Sequence, residues 1–313
     1  MLMFDPDINA SHSRYAKAVE ASKMVRWDLH RDVLRGRTFD FDKKFLPDSL
    51  AKLDELVSLS AAERRLLSQI EGRTYAGIFG LVERFINAKV LEVSRTHWFG
   101  DQVALEALVR FSDEELKHQE LFRQIEKLIA QGMPDGYCLV PEPDAVAGVV
   151  LGKSTWAVLA LTCHIELFTL SHYRQSIAHD PELSDLFKDV FLYHWKEESQ
   201  HAILDELEWR AEDARLGAAE RDAAVDDFIA LVRAVDGILK VQSAADAEYF
   251  RQVCGRPLSS RERQDVEAAL LAAYRWQYIL SGVKDTRFPT ILAGLVTDQQ
   301  MQRVQEALAG LTA

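Results

Sequence analysis

Cysteine is scarce in this chain. Cys138, Cys163 and Cys254 are the only three among 313 residues, and no spacing typical of zinc, iron–sulfur or redox motifs joins them. The sequence therefore argues against a disulfide scaffold or a thiolate metal site, and we expect reduced thiols in a cytoplasmic protein. Glycine and proline are also few, at 15 and 8, which excludes collagen-like and low-complexity architectures.

Targeting, membrane-spanning and nucleic-acid-binding patterns are missing as well. The N-terminus shows no basic start followed by an apolar run, so no secretory signal is expected. The most apolar stretch, residues 146–170, contains Lys153 and Glu166 and is typical of a buried helix rather than a membrane span. Lys and Arg number 37 against 49 Asp and Glu, and the net charge of −12 without a basic stripe argues against a nucleic-acid partner.

What the chain does have is helical periodicity from end to end. No segment of useful length alternates with the period of a strand, so we predict an all-α protein. We predict a single domain over 1–313, with an N-terminal helical extension at 1–59, a four-helix core at 60–217 and C-terminal helices at 218–313. The predicted helices cover residues 14–27, 60–96, 101–131, 144–178, 180–217, 219–253 and 259–281, with shorter helices near Pro289 and Asp298.

A chemical motif on four of these helices occurs twice. A lone glutamate is followed by a Glu-x-x-His motif, and the same three residues recur 83 positions later. Residues three or four apart share one face of a helix, so each Glu-x-x-His motif can direct two side chains to one metal ion. Apolar residues surround them on the same faces, where a buried carboxylate needs a partner such as a metal. The duplicated set consists of Glu83, Glu115 and His118 in the first half and Glu166, Glu198 and His201 in the second.

The donor atoms of this set indicate the kind of metal. Two Glu-x-x-His motifs plus two lone glutamates are what a carboxylate-bridged pair of metals requires inside a four-helix bundle. Carboxylates and imidazoles without thiolates favour iron or manganese over structural zinc. We therefore predict two iron ions, with manganese as the alternative at either position.

The two halves differ at one position. His194 lies four residues before Glu198 and seven before His201, which places these side chains on one helical face. Phe111 occupies the equivalent position in the first half. We predict that His194 is a seventh ligand, which would make one metal different from the other. The alternative is a core histidine that donates a hydrogen bond to a carbonyl.

Two further glutamates stand next to the ligands in the sequence. Glu114 and Glu197 each lie four residues before a ligand histidine and are also related by the repeat. Ligating imidazoles usually give their second N–H to a carboxylate, so we predict that each glutamate orients the histidine of the opposite half. The alternative is that both are surface charges. Asp205, one turn beyond His201, is a weaker candidate for the same role.

The order Glu, Glu-x-x-His, Glu, Glu-x-x-His over residues 70–210 resembles the ferritin-like di-iron carboxylate superfamily. Within it, the run of His194, Glu198 and His201 is similar to the p-aminobenzoate N-oxygenase family, which uses a third histidine at this position. The resemblance implies a ferritin-like four-helix bundle with additional N- and C-terminal helices, two irons, and O2 as co-substrate. It also implies an oxygenase that converts an aromatic amine to a hydroxylamine or nitro product, with no catalytic residue beyond the metal ligands.

Other activities are compatible with the same ligands. A ribonucleotide reductase small subunit would carry a radical tyrosine four residues after the first-half histidine, where this chain has Phe122. An iron-binding ferroxidase is usually shorter, and a di-iron hydroxylase or oxidase of another small organic substrate shares the site.

The chain has no dinucleotide fingerprint, so we expect an external electron donor. The sequence leaves a homodimer open. Candidate walls of a substrate pocket, because they share faces with ligands, are Phe79, Phe111, Phe122, Cys163 and Leu170.

Overall fold

The computed structural model describes residues 6–312, and every regular element in that range is a helix, as predicted. The described range also has three π-helical segments. Leu29–Leu34 stands alone between α1 and α2, Tyr173–Ile177 extends α6, and Trp276–Leu280 joins α9 to α10. The twelve α-helices of the described range are α1 (Pro6–Met24), α2 (Asp48–Ala51), α3 (Ala61–Ser94), α4 (Gln102–Gly132), α5 (Pro143–Leu151), α6 (Thr155–His172), α7 (Asp185–Asp213), α8 (Ala218–Val253), α9 (Ser260–Arg275), α10 (Ser281–Lys284), α11 (Arg287–Ala293) and α12 (Asp298–Thr312).

Local capping signals fix where the two first motif-bearing helices begin. At the start of α3, the Ser60 hydroxyl accepts the Glu63 backbone N–H and the Glu63 carboxylate accepts the Ser60 N–H. This reciprocal pair is a capping box, and it satisfies two backbone donors that the first helical turn leaves free. At the start of α4, the Asp101 carboxylate accepts two backbone N–H groups in the same way.

The four helices that carry the duplicated motif pack in the centre of the molecule. Helix α3 packs along α4 and α6 packs along α7, while α4 also contacts α7 and α3 contacts α6. Helix α1 covers α4 and α7, and α8 covers α6 and α3, with α9 and α12 packed on α8. Both terminal regions therefore shield the motif-bearing helices from water. No helix in the described range combines the length and the apolar character needed to cross a bilayer.

The predicted helix at 144–178 is wrong as a single element. It breaks at Gly152, Lys153 and Ser154 into α5 and α6. The break is held by a residue of α8: the Asp227 carboxylate accepts the Ser154 backbone N–H at 2.9 Å and pairs with the Lys153 ammonium at 3.0 Å. Because the carboxylate satisfies one free N–H group and lies at the positive end of α6, a new helix can begin there instead of continuing the old one.

Two other predicted boundaries are also wrong. Helix α1 begins at Pro6 rather than at residue 14, and α7 begins at Asp185 rather than at residue 180. Before α7, the Asp180 side chain accepts the backbone N–H of Glu182 at 2.8 Å, which is a local turn that competes with helix formation. Just beyond it, Leu183 pairs with Lys44 in an isolated parallel bridge, so the chain remains extended there.

A buried carboxylate joins α8 to α3 and α9. Asp246 accepts hydrogen bonds from the Thr74 hydroxyl at 2.7 Å, the Tyr274 hydroxyl at 2.5 Å and the Gln242 amide at 3.0 Å. Burial raises the pKa of Asp246 from 3.8 to about 6, although these hydrogen bonds act in the opposite direction. The folded protein thus favours the protonated acid more strongly than the unfolded chain does.

This shift predicts a pH dependence of stability. The contribution of Asp246 is fully present below about pH 4 and is lost as the pH rises through about 6, because the folded pKa lies above the unfolded value. The free energy of unfolding should fall by ~3 kcal/mol from this residue over that range. Denaturant titrations at several pH values measure it, and Asp246→Asn should flatten the slope whereas the exposed Asp54→Asn should not. An equal slope in both variants would contradict the assignment.

Candidate metal centre

All seven predicted ligands lie in one buried cluster, each no more than 2% exposed. Four helices contribute, and each contributes the side chains that the sequence pattern placed on its inner face. Helix α3 provides Glu83, α4 provides Glu115 and His118, α6 provides Glu166, and α7 provides His194, Glu198 and His201.

Two glutamates lie between the histidines of the two halves. The Glu198 oxygens are 3.2 Å from His118 Nδ1 and 3.5 Å from His201 Nδ1. Oε1 of Glu115 is 3.7 Å from His118 Nδ1 and 3.1 Å from His201 Nδ1. Each carboxylate therefore reaches both imidazoles, and the ligand atoms of all four side chains lie within 4.8 Å of one another.

A second group of ligand atoms shares His118 with the first. Oε1 of Glu83 is 2.8 Å from His194 Nε2 and 3.9 Å from His118 Nδ1. His194 Nε2 is also 3.1 Å from Glu198 Oε1, so the third histidine joins the His118 side of the cluster. Glu166 belongs to neither close group, but it is buried and the charge of Glu198 acts on the pKa of its carboxyl group.

Many inward-facing atoms of this cluster lack hydrogen-bond partners, although His194 Nε2 is hydrogen-bonded to Glu83 Oε1. His118 Nδ1 and His201 Nδ1 are buried without one, and so is at least one oxygen of every predicted glutamate ligand. Buried polar atoms are nearly always paired, so such a convergent set needs an explanation. A metal ion bound by these atoms would supply it, and the absence of any cysteine from the cluster matches a carboxylate and imidazole donor set.

The electrostatics of the cluster also favour a bound cation. Burial, followed by the charge of Glu115, raises the pKa of Glu83 well above its ordinary value. Burial and the charge of Glu198 raise the pKa of Glu166 in the same direction. Without a cation between them, the Glu83 and Glu166 carboxyl groups favour the protonated form. A metal ion would displace these protons and offset the repulsion between the negatively charged carboxylates.

His194 differs electrostatically from the two motif histidines. Burial lowers the pKa of His194 to about 3, so its imidazole is neutral at physiological pH and offers a lone pair. Burial also acts to lower the pKa of His118, but the nearby carboxylates of Glu115 and Glu197 outweigh it and the net shift is upward. The Nδ1 atom of His194 has no partner, and its Nε2 atom is 2.8 Å from Oε1 of Glu83, a predicted ligand, whereas Nε2 of the other two rings bonds Glu197 or Glu114.

Glu114 and Glu197 form crossed hydrogen bonds with the histidines. His201 Nε2 donates to Glu114 at 2.9 Å, and His118 Nε2 donates to Glu197 at 2.9 Å. Each glutamate thus contacts the histidine of the opposite half, and neither is a surface charge, with exposures of 6% and 0%. Because Nε2 carries the donated proton in both rings, Nδ1 is left as the atom with a free lone pair facing the cluster.

The Glu197 contact predicts a change in metal affinity. Glu197→Ala removes the carboxylate that fixes the His118 ring, so metal affinity should fall ~10–100-fold. Competition with a chelator of known affinity measures the loss, and Glu197→Gln, which can still accept from Nε2, should lose less. Glu120→Ala is the matched control, because Glu120 is bound only to Arg123 and Gln124 on the surface of α4. Equal affinities for the alanine variant and wild type would contradict an orienting role.

Three residues that the sequence did not indicate contact the cluster or the glutamates around it. Ser22 and Trp27 come from the N-terminal region, and Lys117 comes from α4. The Ser22 hydroxyl donates to Glu114 at 2.6 Å. The Trp27 ring lies parallel to the His118 ring with centroids 6.1 Å apart, and Lys117 both covers Trp27 at 4.2 Å and donates to Glu197. Lys117 could have been found from its place inside the Glu-x-x-His motif, but no local pattern marks Ser22 or Trp27.

Aromatic rings close off the cluster on its apolar sides. Phe111 stacks on His201 with centroids 3.9 Å apart, and Phe79 and Phe122 contact the His194 ring at 5.3 and 5.1 Å. Cys163 and Leu170 are buried on α6. These residues were predicted as pocket walls, and three of the five prove to contact ligand histidines directly. They keep water away from the cluster, which strengthens electrostatic interactions inside it.

Two other buried histidines on α6 have partners away from the cluster, and Asp205 of α7 differs from them. His164 Nε2 bonds the Ile279 carbonyl at 3.0 Å, and His172 lies between the hydroxyl groups of Tyr75 and Ser281 at 2.8 Å from each. Asp205 is buried, and burial raises its pKa to about 8; its Oδ2 atom has no hydrogen-bond partner among the described residues. Asp205 forms no hydrogen bond with a ligand histidine, unlike Glu114 and Glu197.

A scan of protein-family models finds no family that matches the chain, and a search of curated proteins finds no significant relative. The arrangement of the ligand atoms is accordingly the observation on which a function can be proposed. Those atoms form a buried carboxylate and histidine cluster that can hold a metal ion.

Proposed function

We propose that the chain is a non-haem di-iron oxygenase that activates O2 and oxidises an aromatic amine to a hydroxylamine or nitro product. The observation that carries the proposal is the convergent set of buried donor atoms without hydrogen-bond partners, supplied by two similar halves of the chain. The proposal includes a ferritin-like four-helix bundle of α3, α4, α6 and α7, a cytoplasmic location and an external electron donor.

The ligand positions suggest how two irons would be held. His118, Glu83 and His194 would hold one iron, and His201 with Glu166 would hold the other. Glu115 and Glu198 would serve both, because each lies between the two motif histidines. When bound, a pair of irons supplies the redox chemistry with O2 that protein side chains lack.

The side chains have separate tasks in this proposal. The four carboxylates compensate the charge of the metal ions, and Glu114 and Glu197 keep the Nε2 proton of each motif histidine in place. Phe79, Phe111 and Phe122 exclude water from the cluster. A dry, oriented site of this kind is the contribution that a protein makes to metal-dependent oxidation.

The overall reaction fixes what must enter the site. Forming a hydroxylamine inserts one atom of O2 into an N–H bond of the amine. The second oxygen atom leaves as water after receiving two electrons and two protons. The electrons come from the external donor, since the chain has no flavin, nicotinamide or iron–sulfur motif.

Metal analysis and product analysis test the proposal together. Protein purified without added metal should contain two metal ions per chain, mostly iron, and a single tightly held zinc would overturn this. The protein is then reduced, exposed to O2 and supplied with a panel of aryl and alkyl amines, and products are followed by mass. Hydroxylamine or nitro products that require iron support the proposal. Hydroxylation of carbon, or continuous Fe(II) oxidation with a stored mineral, would replace it with a hydroxylase or a ferroxidase.

A further inference from the structure

An apolar cavity of about 470 Å³ lies beside the metal centre. Its walls come from α3, α5, α6 and α8, from the segment before α5 and from Tyr278. The volume falls within the range of small-molecule sites, roughly 300–1,000 Å³. The break between α5 and α6 matters here, because it makes α5 a separate helix that packs on α3 and closes one side of the cavity.

The cavity wall carries almost no charge. Among the described residues that line it, only Glu142 and Tyr278 have ionisable side chains, and no lysine, arginine or histidine is present. Glu142 is exposed at the mouth, so the interior is apolar. An anionic ligand would lose its hydration without gaining a counter-charge, and Glu142 would repel it. The lining therefore favours an uncharged, apolar ligand.

One polar group in the wall has no partner. Tyr278 is 6% exposed, and its hydroxyl group has no hydrogen-bond partner among the described residues. Tyr278 also lines a second, smaller apolar cavity of about 170 Å³, which shares Leu161 and Val235 with the first. A buried hydroxyl group without a partner is uncommon, and a ligand with one polar group in an apolar body would satisfy it.

One aromatic side chain both lines the cavity and contacts a predicted ligand. Phe79 lines the cavity, and its ring centroid is 5.3 Å from that of His194. Val82 and Ile165 also line the cavity, and each immediately precedes a ligand glutamate, Glu83 and Glu166. A rotation of Phe79 would bring a molecule in the cavity next to the His194 side of the metal centre.

We propose that this cavity is the substrate pocket and that the substrate is an uncharged aromatic amine with an apolar substituent rather than a carboxylated one. This inference rests on the proposed oxygenase function and narrows its substrate class. An aromatic amine is neutral at physiological pH, so both ends of such a molecule suit the apolar wall. Its amine group can reach towards Phe79 or bond the Tyr278 hydroxyl.

Binding to metal-free protein tests the ligand class without any requirement for activity. The probes are 4-(trifluoromethyl)aniline and 4-aminobenzoate, which differ only in whether an apolar or an anionic group lies opposite the amine. Calorimetry should show one neutral probe bound per chain and at least 10-fold weaker binding of the carboxylate. In a series of para-alkyl anilines, affinity should rise about 3-fold per added methylene group. Equal or tighter binding of 4-aminobenzoate would overturn the proposal.

Two glycines provide a matched test of the location. Gly237 lies in the cavity wall, and a Cβ atom there would meet no other atom within 4 Å, so Gly237→Phe can obstruct the cavity without a clash at its Cβ. Gly148 on α5 has equally open surroundings but does not line the cavity. Gly237→Phe should weaken the neutral probe at least 10-fold and Gly148→Phe should not. Equal effects of the two would place the probe elsewhere. Tyr278→Phe should weaken it about 2- to 10-fold.

Fluorine NMR tests the proximity of the pocket to the metal centre. The trifluoromethyl signal should broaden strongly in protein loaded with paramagnetic Mn2+ and remain narrow with Zn2+. A bound but unbroadened probe would show that the cavity is not a substrate pocket. The two proposals can fail separately. Protein that binds the neutral probe but no metal pair would refute the oxygenase function alone, whereas a di-iron enzyme that oxidises only carboxylated amines would refute the pocket assignment alone.

Discussion

Replacing Glu198 with alanine should reduce the bound metal from two ions per chain to one or none. The two oxygens of Glu198 lie 3.2 Å from His118 Nδ1 and 3.5 Å from His201 Nδ1, so this carboxylate serves the imidazoles of both halves. Alanine offers no atom that could replace it, and Glu115 would remain as the one carboxylate between the two motif histidines, with less negative charge to compensate two metal ions. Elemental analysis and the magnetic coupling of an iron-loaded sample measure the result.

The control for this variant is a glutamate on the same helix. Glu212 pairs only with Arg215 near the end of α7, with a nitrogen–oxygen distance of 3.5 Å. Glu212→Ala should keep both metal ions and their coupling. Circular dichroism of the two variants shows whether each retains its helices. Retention of two coupled ions in folded Glu198→Ala protein would rule out the shared-ligand role of Glu198.

His194→Phe should retain the fold but lose at least 10-fold in turnover. Phenylalanine fits the surroundings, because the His194 ring already lies among Phe79, Phe122 and Phe191. It would recreate the first-half arrangement, where Phe111 occupies the equivalent position. Loss of a direct ligand should cost at least as much as loss of a hydrogen-bonded neighbour, which is typically ~10–100-fold. Product formation and the optical spectrum of iron-loaded protein measure the effect.

His172→Phe is the control for His194→Phe, because it replaces a buried histidine that lies away from the cluster. His172 is another fully enclosed histidine, but its partners are the Tyr75 and Ser281 hydroxyl groups rather than ligands. Its replacement should lower the free energy of unfolding, because it leaves the Tyr75 hydroxyl unpaired, while the spectrum of the bound metal stays unchanged. If His194→Phe gave the same pattern, destabilised but spectrally normal, then His194 would be a packing residue and not a ligand.

The sequence predicted the identity of the clustered residues better than the course of the chain between them. Residues three apart share one face of any α-helix, so Glu115 and His118 must lie on the same face once α4 forms. The break between α5 and α6 depends on Asp227, which lies 73 residues after Ser154. No local pattern at 144–178 reveals a partner so distant, and its apolar residues support a continuous helix equally well.

The walls of the cavity were also poorly predicted from the sequence. The predicted walls were chosen because they share faces with ligands, and for that reason Phe111 and Phe122 face the ligand rings instead of an open space. Of the five predicted walls, only Phe79 lines the cavity. The cavity occupies the neighbouring face of α3 and α6, and its outer wall comes from α5 and α8. The packing of whole helices decides which face of a helix borders a cavity. The hydrophobic periodicity of a single segment does not contain that information.

The crossed hydrogen bonds have a consequence for the origin of the chain. Glu114 of the first half contacts His201 of the second half, and Glu197 of the second half contacts His118 of the first. Interchanging the two halves therefore turns each contact into the other. That is the reciprocal pattern of an interface between two identical subunits related by a twofold axis. A dimer of identical helix pairs would carry a third histidine on both sides or on neither. A single chain that carries both halves can place His194 on one side and Phe111 on the other, which makes the two sides of the cluster chemically different.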